Sequence, residues 1–181
     1  MKKLIFFAFI LISTHSYSQI EYGIFGGINN SALSNGTKSF NMHHEIGLHL
    51  GIVAEKELGN KLAFRPKLEY SQQGNREFNI SAVNYKLNYI NLPLDFKFFN
   101  SPYILFGPQI GVLINKEFTN YEGEPDSFDY GFNLGFGIDI REFFIELGAY
   151  QGLNKLFTTE VSNMTFEPTN TVLQLSVGYN L

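Results

Sequence analysis

From Ile20 to Leu181 apolar side chains recur at every second position, with Gly, Asn or a charge between them. The last run is the plainest. Leu173, Leu175, Val177, Tyr179 and Leu181 share one face, and Gln174, Ser176, Gly178 and Asn180 the other. A period of two is that of a β-strand with two chemically different faces. The same alternation predicts eight strands, at 20–29, 44–57, 61–72, 85–99, 102–115, 127–141, 142–151 and 170–181. No stretch carries a helical period. The connections alternate in length. Residues 58–61, 100–102 and 141–142 are tight turns, whereas 30–43, 73–84, 116–126 and 152–169 are long and polar. Short turns on one rim and long loops on the other are the habit of outer-membrane barrels, with the turns periplasmic. The expected fold is all-β: an eight-stranded antiparallel up-and-down transmembrane barrel.

The polar face decides between lipid and water outside. A soluble ligand-binding barrel turns its apolar face inward and shows Lys, Glu and Thr to solvent. Here the polar face is mostly Gly and Asn with a few charges of both signs, which suits a narrow interior where each charge needs a partner. The expected inward charges are Glu21, Glu55, Glu69, Asp95, Asp139 and Glu146 against Arg65, Lys67, Lys97 and Arg141, a near-balanced network. Aromatics are expected outside, in two girdles. Phe96, Phe98, Tyr103, Phe143 and Tyr179 lie by the short turns, and Tyr70, Phe128 and Tyr130 by the long loops.

Composition agrees. Charged residues are 17% of the chain, below the roughly 25% of an ordinary soluble domain. Aromatics reach 16% without a Trp. Residues 1–18 read as a secretory leader: Lys2 and Lys3, an apolar run over 4–12, then a small polar stretch. The apolar run is about half the ~20 residues a membrane-spanning helix needs. Cleavage is expected after Ser18, leaving residues 19–181 as a single barrel domain. It would remove Lys2 and Lys3 and push the net charge of −4 further negative. An acidic chain without basic clusters is a poor partner for nucleic acid. With no cysteine, a lipoprotein anchor and disulfides are excluded.

Several segments together resemble the small outer-membrane barrels of Bacteroidetes, the PorT-like group. These are YGIFGGIN at 22–29, GIVAE at 51–55, LAFRPKLEYSQQG at 62–74, LNYINLPL at 87–94, FGPQIG at 106–111 and LQLSVGY at 173–179. The resemblance implies an outer-membrane barrel folded by the barrel-assembly machinery and seated among outer-membrane lipid and lipopolysaccharide. Some members of the group assist a gliding- and protease-associated secretion system. The family usually ends in an aromatic that the assembly machinery reads; this chain ends in Asn180 and Leu181, with Tyr179 just before.

Candidate chemistry is sparse. A lipid A-modifying hydrolase or acyltransferase would need a His near a Ser and a carboxylate. His43, His44, Glu45 and His49 supply imidazoles and a carboxylate, and Ser31, Ser34 or Ser39 a hydroxyl, but no nucleophile motif surrounds them. His49 reads better as an interior polar residue than as a base. His43 and His44 point to opposite faces of a regular strand, so they cannot ligate one metal from it. The loop YEGEPDSFD at 121–129 offers carboxylates for Ca²⁺ without the regular spacing of a Ca²⁺ loop, and reads as a solvated acidic loop. The glycines at 107–111 and 135–137 precede no helix and are not nucleotide loops. No catalytic, cofactor or metal residue is therefore assigned. The expected role is structural or surface-interacting, in a monomeric barrel with its lumen closed by side chains and a partner still to be found. An accessory role in protein secretion or transport comes second, and a lipid A-modifying enzyme third.

Overall fold

The computed structural model describes residues 20–34, 45–75, 84–119, 124–161 and 164–181. Eight long strands close a barrel: β1 (Ile20–Ser34), β2 (Glu45–Gly59), β3 (Leu62–Asn75), β4 (Asn84–Phe98), β5 (Tyr103–Thr119), β6 (Phe128–Ile140), β7 (Phe143–Gly152) and β10 (Thr169–Asn180). Every neighbour is antiparallel, and the order around the wall is β1-β10-β7-β6-β5-β4-β3-β2. Sequence neighbours pair through the turns. The wall closes where β1 meets β10, from Gly23 opposite Asn180 to Ser34 opposite Thr169.

All eight expected strands are present. Three of them run at least three residues further at the loop end than the alternation suggested: β1 to Ser34, β3 to Asn75 and β5 to Thr119. The reason is that a backbone ladder needs no apolar face once it leaves the lipid. Asn84 to Asn88 still pair with β5 out to Thr119, with a register shift at Asn88/Tyr89. A further feature was not foreseen. Inside the last long loop lies a small hairpin, β8 (Thr159–Val161) with β9 (Met164–Phe166). The stretch before it folds back on β6: Leu153 N–H donates to Tyr130 O at 2.9 Å, and Asn154 Nδ2 donates to Phe128 O at 2.7 Å.

The faces follow the pleat. Ile46, Leu48, Leu50 and Ile52 on β2, Phe128 to Phe136 at alternate positions on β6, and Leu173, Leu175 and Val177 on β10 all stand exposed on the outer wall. Buried residues point into the lumen, and they include many polar groups: Asn29, His49, Arg65, Glu69, Asn91, Asp95, Lys97, Asp129 and Glu146. Two expectations need correction here. Tyr103 belongs to the interior, not to the outer girdle; it is fully buried because it shares a face with Leu105 and Gly107, opposite Ile104 and Phe106. Glu21 and Arg141 stand exposed and take no part in the lumen network. Glu21 lies one residue from the start of β1, opposite Glu55. Arg141 occupies the two-residue β6–β7 turn at φ 58°, the left-handed backbone that tight hairpins require.

The lumen also holds more hydrophobic rings than the sequence pattern suggested. Phe25, Val53 and Phe144 form an apolar cluster within it. Each of four rings lies over a glycine directly across the ladder: Tyr103 over Gly137, Phe144 over Gly178, Phe25 over Gly51, and His49 over Gly27. A Cβ at Gly178 would stand 2.0 Å from the Phe144 ring, and one at Gly137 would stand 2.3 Å from Tyr103. At Gly178 and Gly137 the ring itself takes the place of a Cβ, whereas at Gly51 and Gly27 a Cβ would meet the backbone carbonyls of Leu68 and Leu175 before the ring.

Candidate functional site: the filled lumen

The lumen is the only candidate site that the described residues build from several strands at once, and it has two tiers. The tier nearer the short turns is ionic. Lys97 on β4 bridges Glu55 on β2 and Asp139 on β6, at 3.0 Å each. Arg65 on β3 pairs with the same Glu55 and lies 3.2 Å from Glu146 on β7. Lys67 lies 2.6 Å from Glu146 and 3.5 Å from Asp95. Tyr103 Oη donates to Glu146 at 2.9 Å. The Arg65 guanidinium also stacks 4.5 Å from the Phe144 ring centre, and the Lys97 ammonium sits 4.3 Å from that of Tyr103. Cation–ring contacts of this kind strengthen where water is excluded. The alternation on β3 sends Arg65, Lys67 and Glu69 inward together, so one strand carries both bridging cations of the middle of the lumen. A void of about 30 Å³ remains here, bordered by Lys67, Asp95, Glu146 and Ser176. That is room for about one water.

The tier nearer the long loops is amide and hydroxyl. Gln174 Nε2 donates to Glu69 at 3.0 Å and to Asn29 Oδ1 at 3.2 Å. Asn91 Nδ2 donates to Glu69 at 3.3 Å. Asn29 Nδ2 and Gln73 Nε2 donate to Ser71 Oγ at 2.8 and 2.9 Å. Asn170 Nδ2 donates to Gln73 Oε1 and, at 2.9 Å, to Asp129 Oδ2.

His49 sits among these groups as an interior polar residue. Its Nδ1 lies 2.6 Å from Asn29 Oδ1 and its Nε2 lies 2.8 Å from Ser176 Oγ. A carbonyl oxygen only accepts, so Nδ1 carries the proton and Nε2 accepts from the serine. Ser176, His49 and Asn29 thus stand in the order of nucleophile, base and orienting group. Chemistry does not follow from the order alone. Ser176 is buried, and the void beside it has no room for an ester. The serine is not one that the sequence nominated. Ser31 is buried but bonds Gly74 and Glu45 backbone, away from His49. His43, His44 and Ser39 lie outside the described residues, as does the Ser34 side chain. Only cross-strand register brings Ser176 to His49: both pair with Gly27, from its two sides.

The acidic loop divides. Residues 121–123 lie outside the described residues. Glu124 is exposed and paired to Lys116 at 3.0 Å, and Asp126 is exposed. Asp129 turns inward and is buried. Counting it, the interior carboxylates are Glu55, Glu69, Asp95, Asp129, Asp139 and Glu146, against Arg65, Lys67 and Lys97. The network is therefore acidic rather than near-balanced, because Arg141 stays in its turn. Two further pockets open at the rims: about 220 Å³ beside Glu55, Lys97 and Asp139 near the short turns, and about 300 Å³ beside Glu45, Gln73, Lys86 and Glu117 near the loops.

No curated protein matches the chain. Among solved structures, Neisserial surface protein A superposes with a TM-score of 0.51 at 16% identity, covering 88% of this chain and 97% of that one. Ail, the attachment invasion locus protein of Yersinia pestis, gives 0.49 at 15% identity, over 90% and 99% of the two chains. OprG from Pseudomonas aeruginosa gives 0.49 at 14%, over 91% and 97%. Residues 13–158 match the family model described as outer membrane protein beta-barrel domain. That match covers the first seven strands, β1 to β7, and the chain belongs to the outer-membrane β-barrel domain family.

Proposed function

We propose that this protein is a non-enzymatic, non-conducting outer-membrane barrel whose role is structural or surface-interacting, presented by the four long connections. The observation that carries the reading is the lumen. Lys97, Arg65 and Lys67 tie β2, β3, β4, β6 and β7 to one another across the interior, leaving a void of about 30 Å³ in the middle of the lumen between the wider pockets at its two rims. Eight strands leave space for side chains only, and these side chains fill it. The PorT-like assignment within Bacteroidetes, cleavage after Ser18, a monomeric state and a surface or secretion partner belong to the same proposal. The segments quoted from 22–29 to 173–179 support the first of these.

The experiment is reconstitution of the purified barrel in a planar bilayer, alongside boiled and unboiled gel samples. A heat-dependent mobility shift without steady single-channel steps is expected. Steady currents from the wild-type barrel would overturn the closed lumen and favour a transport role.

A further inference from the structure

At the loop end the ladder of the wall is broken between β2 and β3. β2 pairs with β1 as far as Glu45, opposite Ser31, but its pairing with β3 stops at His49 opposite Ser71. Leu48 N–H points toward β3, where it donates to the Gln72 side chain at Oε1, 3.2 Å away. Backbone groups of an antiparallel strand alternate in direction, so those of Ile46 face the same way. Their ladder partners would be Gln72 and Gly74, and both are taken. Gln72 O accepts from Asn29 Nδ2 at 3.0 Å. Gly74 N–H donates to Ser31 Oγ at 2.9 Å, and Gly74 O lies 3.2 Å from the same hydroxyl. Two β1 side chains thus hold β3 across the inner face of β2. Gly47 permits the crossing, since a Cβ there would collide with Gln72 O. Gly74 makes the kink, at φ 151°, a backbone that glycine adopts at little cost. Ile46 N–H, Ile46 O and Leu48 O are left facing the gap with no partner among the described residues.

An open ladder edge is completed by another extended backbone unless charge, proline or a bulge blunts it. β5 also outruns β6, since their pairing ends at Val112 opposite Phe128, but Lys116 and Glu117 charge that edge. At the β2 edge stands Ile46, 75% exposed. The edge lies above the hydrocarbon. Its neighbours at that height are Asn30 on β1 and, past the gap, Gln72 and Asn88, and an unpaired peptide is not tolerated in lipid. Beside it opens the loop-end pocket of about 300 Å³, lined by Ile46, Gln72 and Asn88 and by the charged Glu45, Lys86 and Glu117. None of these three charges forms a salt bridge among the described residues, so the pocket carries surplus negative charge. From this edge we propose that β2 takes up a short extended segment of a partner protein as an added strand at 46–48, with a basic side chain of that segment set against the pocket carboxylates. The proposal rests on the surface-interacting role above and gives it a mode of contact. Conductance tests the lumen alone, so either can fail without the other.

The probe is a short fluorescent peptide of alternating Val and Thr between terminal lysines, titrated into the full mature barrel folded in zwitterionic detergent. Saturable binding, read by anisotropy, is expected. N-methylation of every second peptide residue should abolish binding in one parity and leave it unchanged in the other, because only alternate N–H groups of an added strand face its neighbour. Ile46→Pro should weaken binding by about tenfold or more, since it removes an edge donor and leaves a peptide carbonyl unpaired. The variant should still fold, because that N–H serves no ladder bond and proline is tolerated on an edge; the heat-dependent gel shift checks this, and the parity test on the wild type decides if it does not. Glu45→Gln should weaken the lysine-ended peptide several-fold and leave a glutamine-ended one unchanged. Equal binding by wild type and Ile46→Pro, or equal loss in both N-methyl parities, would overturn the proposal. A wild-type dimer that Ile46→Pro separates would put a second copy on the edge and overturn it as well. So would absence of binding, and a Tm lowered by Ile46→Pro would then mean that the chain covers its own edge.

Discussion

Lys67 holds two carboxylates that point at it from different strands, Glu146 at 2.6 Å and Asp95 at 3.5 Å. Its replacement by Met leaves Asp95 without a cation in the lumen and Glu146 with Arg65 and Tyr103 alone, at a cost of about 3–5 kcal/mol. Lys97 also bridges two carboxylates, but Glu55 and Asp139 keep 15% and 24% of their side chains exposed, and Arg65 still serves Glu55. Lys97→Met should therefore destabilise, and by less than Lys67→Met. Urea unfolding in lipid vesicles, read by the heat-dependent gel shift, ranks the two; the reverse order would mean that the mouth, not the middle, is the drier part. Asp95→Asn added to Lys67→Met should recover part of the loss, because it removes the carboxylate left without a cation. The alternation gave these inward positions from sequence: Arg65, Lys67, Glu69, Asp95 and Glu146 all point where the period of two sends them. Their partners were not legible, since register across the barrel decides who meets whom. Glu146 on β7 meets Arg65 and Lys67 on β3, far apart along the wall. Tyr103 was misplaced because an aromatic beside a turn looks like a girdle residue until its neighbours fix its parity.

At the scale of strands, each wall element has one face in lipid and one in a crowded interior. Leu134 on β6 is exposed on the lipid side, and Gly135 beside it faces Leu105 in the lumen. Leu134→Arg should cost about 2–4 kcal/mol near the bilayer midplane. Gly135→Arg should fail by a different route, overfilling the interior and depressing the yield of folded barrel. Vesicle unfolding for the first and folding yield for the second separate the two. Normal stability of Leu134→Arg would invert the faces. The ring-and-glycine pairs make a sharper case. Gly178→Ala drives a methyl into the fully buried Phe144 ring, so a loss of about 1–3 kcal/mol is expected. Adding Phe144→Leu should restore some of it. Strand limits were readable from the alternation wherever lipid enforces it. Past the lipid, in β1, β3 and β5, pairing continues without any apolar pattern, and there the sequence carries no signal. The β8–β9 hairpin is likewise too short to announce itself by periodicity.

For the whole molecule, turn length sets orientation. The short connections 60–61, 99–102 and 141–142 lie at the rim that holds residues 20 and 181, where Leu181 N–H donates to Tyr22 O at 2.8 Å. The opposite rim carries the long connections, which face the outside in barrels of this kind. The chain has no cysteine, so single cysteines report cleanly. A bulky maleimide added to intact cells should label Glu124→Cys and spare Asn100→Cys until the outer membrane is permeabilised. Labelling of Asn100→Cys first would reverse the orientation. A closed wall with eight strands was legible at this scale because the count, the alternation and the turn lengths agree. The division of the lumen into an ionic and an amide tier was not, since it depends on how far each strand is staggered against the next.

The rings that lie over Gly137, Gly178, Gly51 and Gly27 also act on the backbone beneath them. A bare glycine exposes its peptide groups to water, and water inside a barrel would compete for the ladder. Each ring instead roofs the peptide opposite it. In isotope exchange the amides at these four glycines should be among the slowest in the wall. Phe144→Ala should speed exchange around Gly178 well before the barrel as a whole opens, since local openings cost less than global unfolding. The interior aromatics then serve as weatherproofing for the hydrogen bonds of the wall.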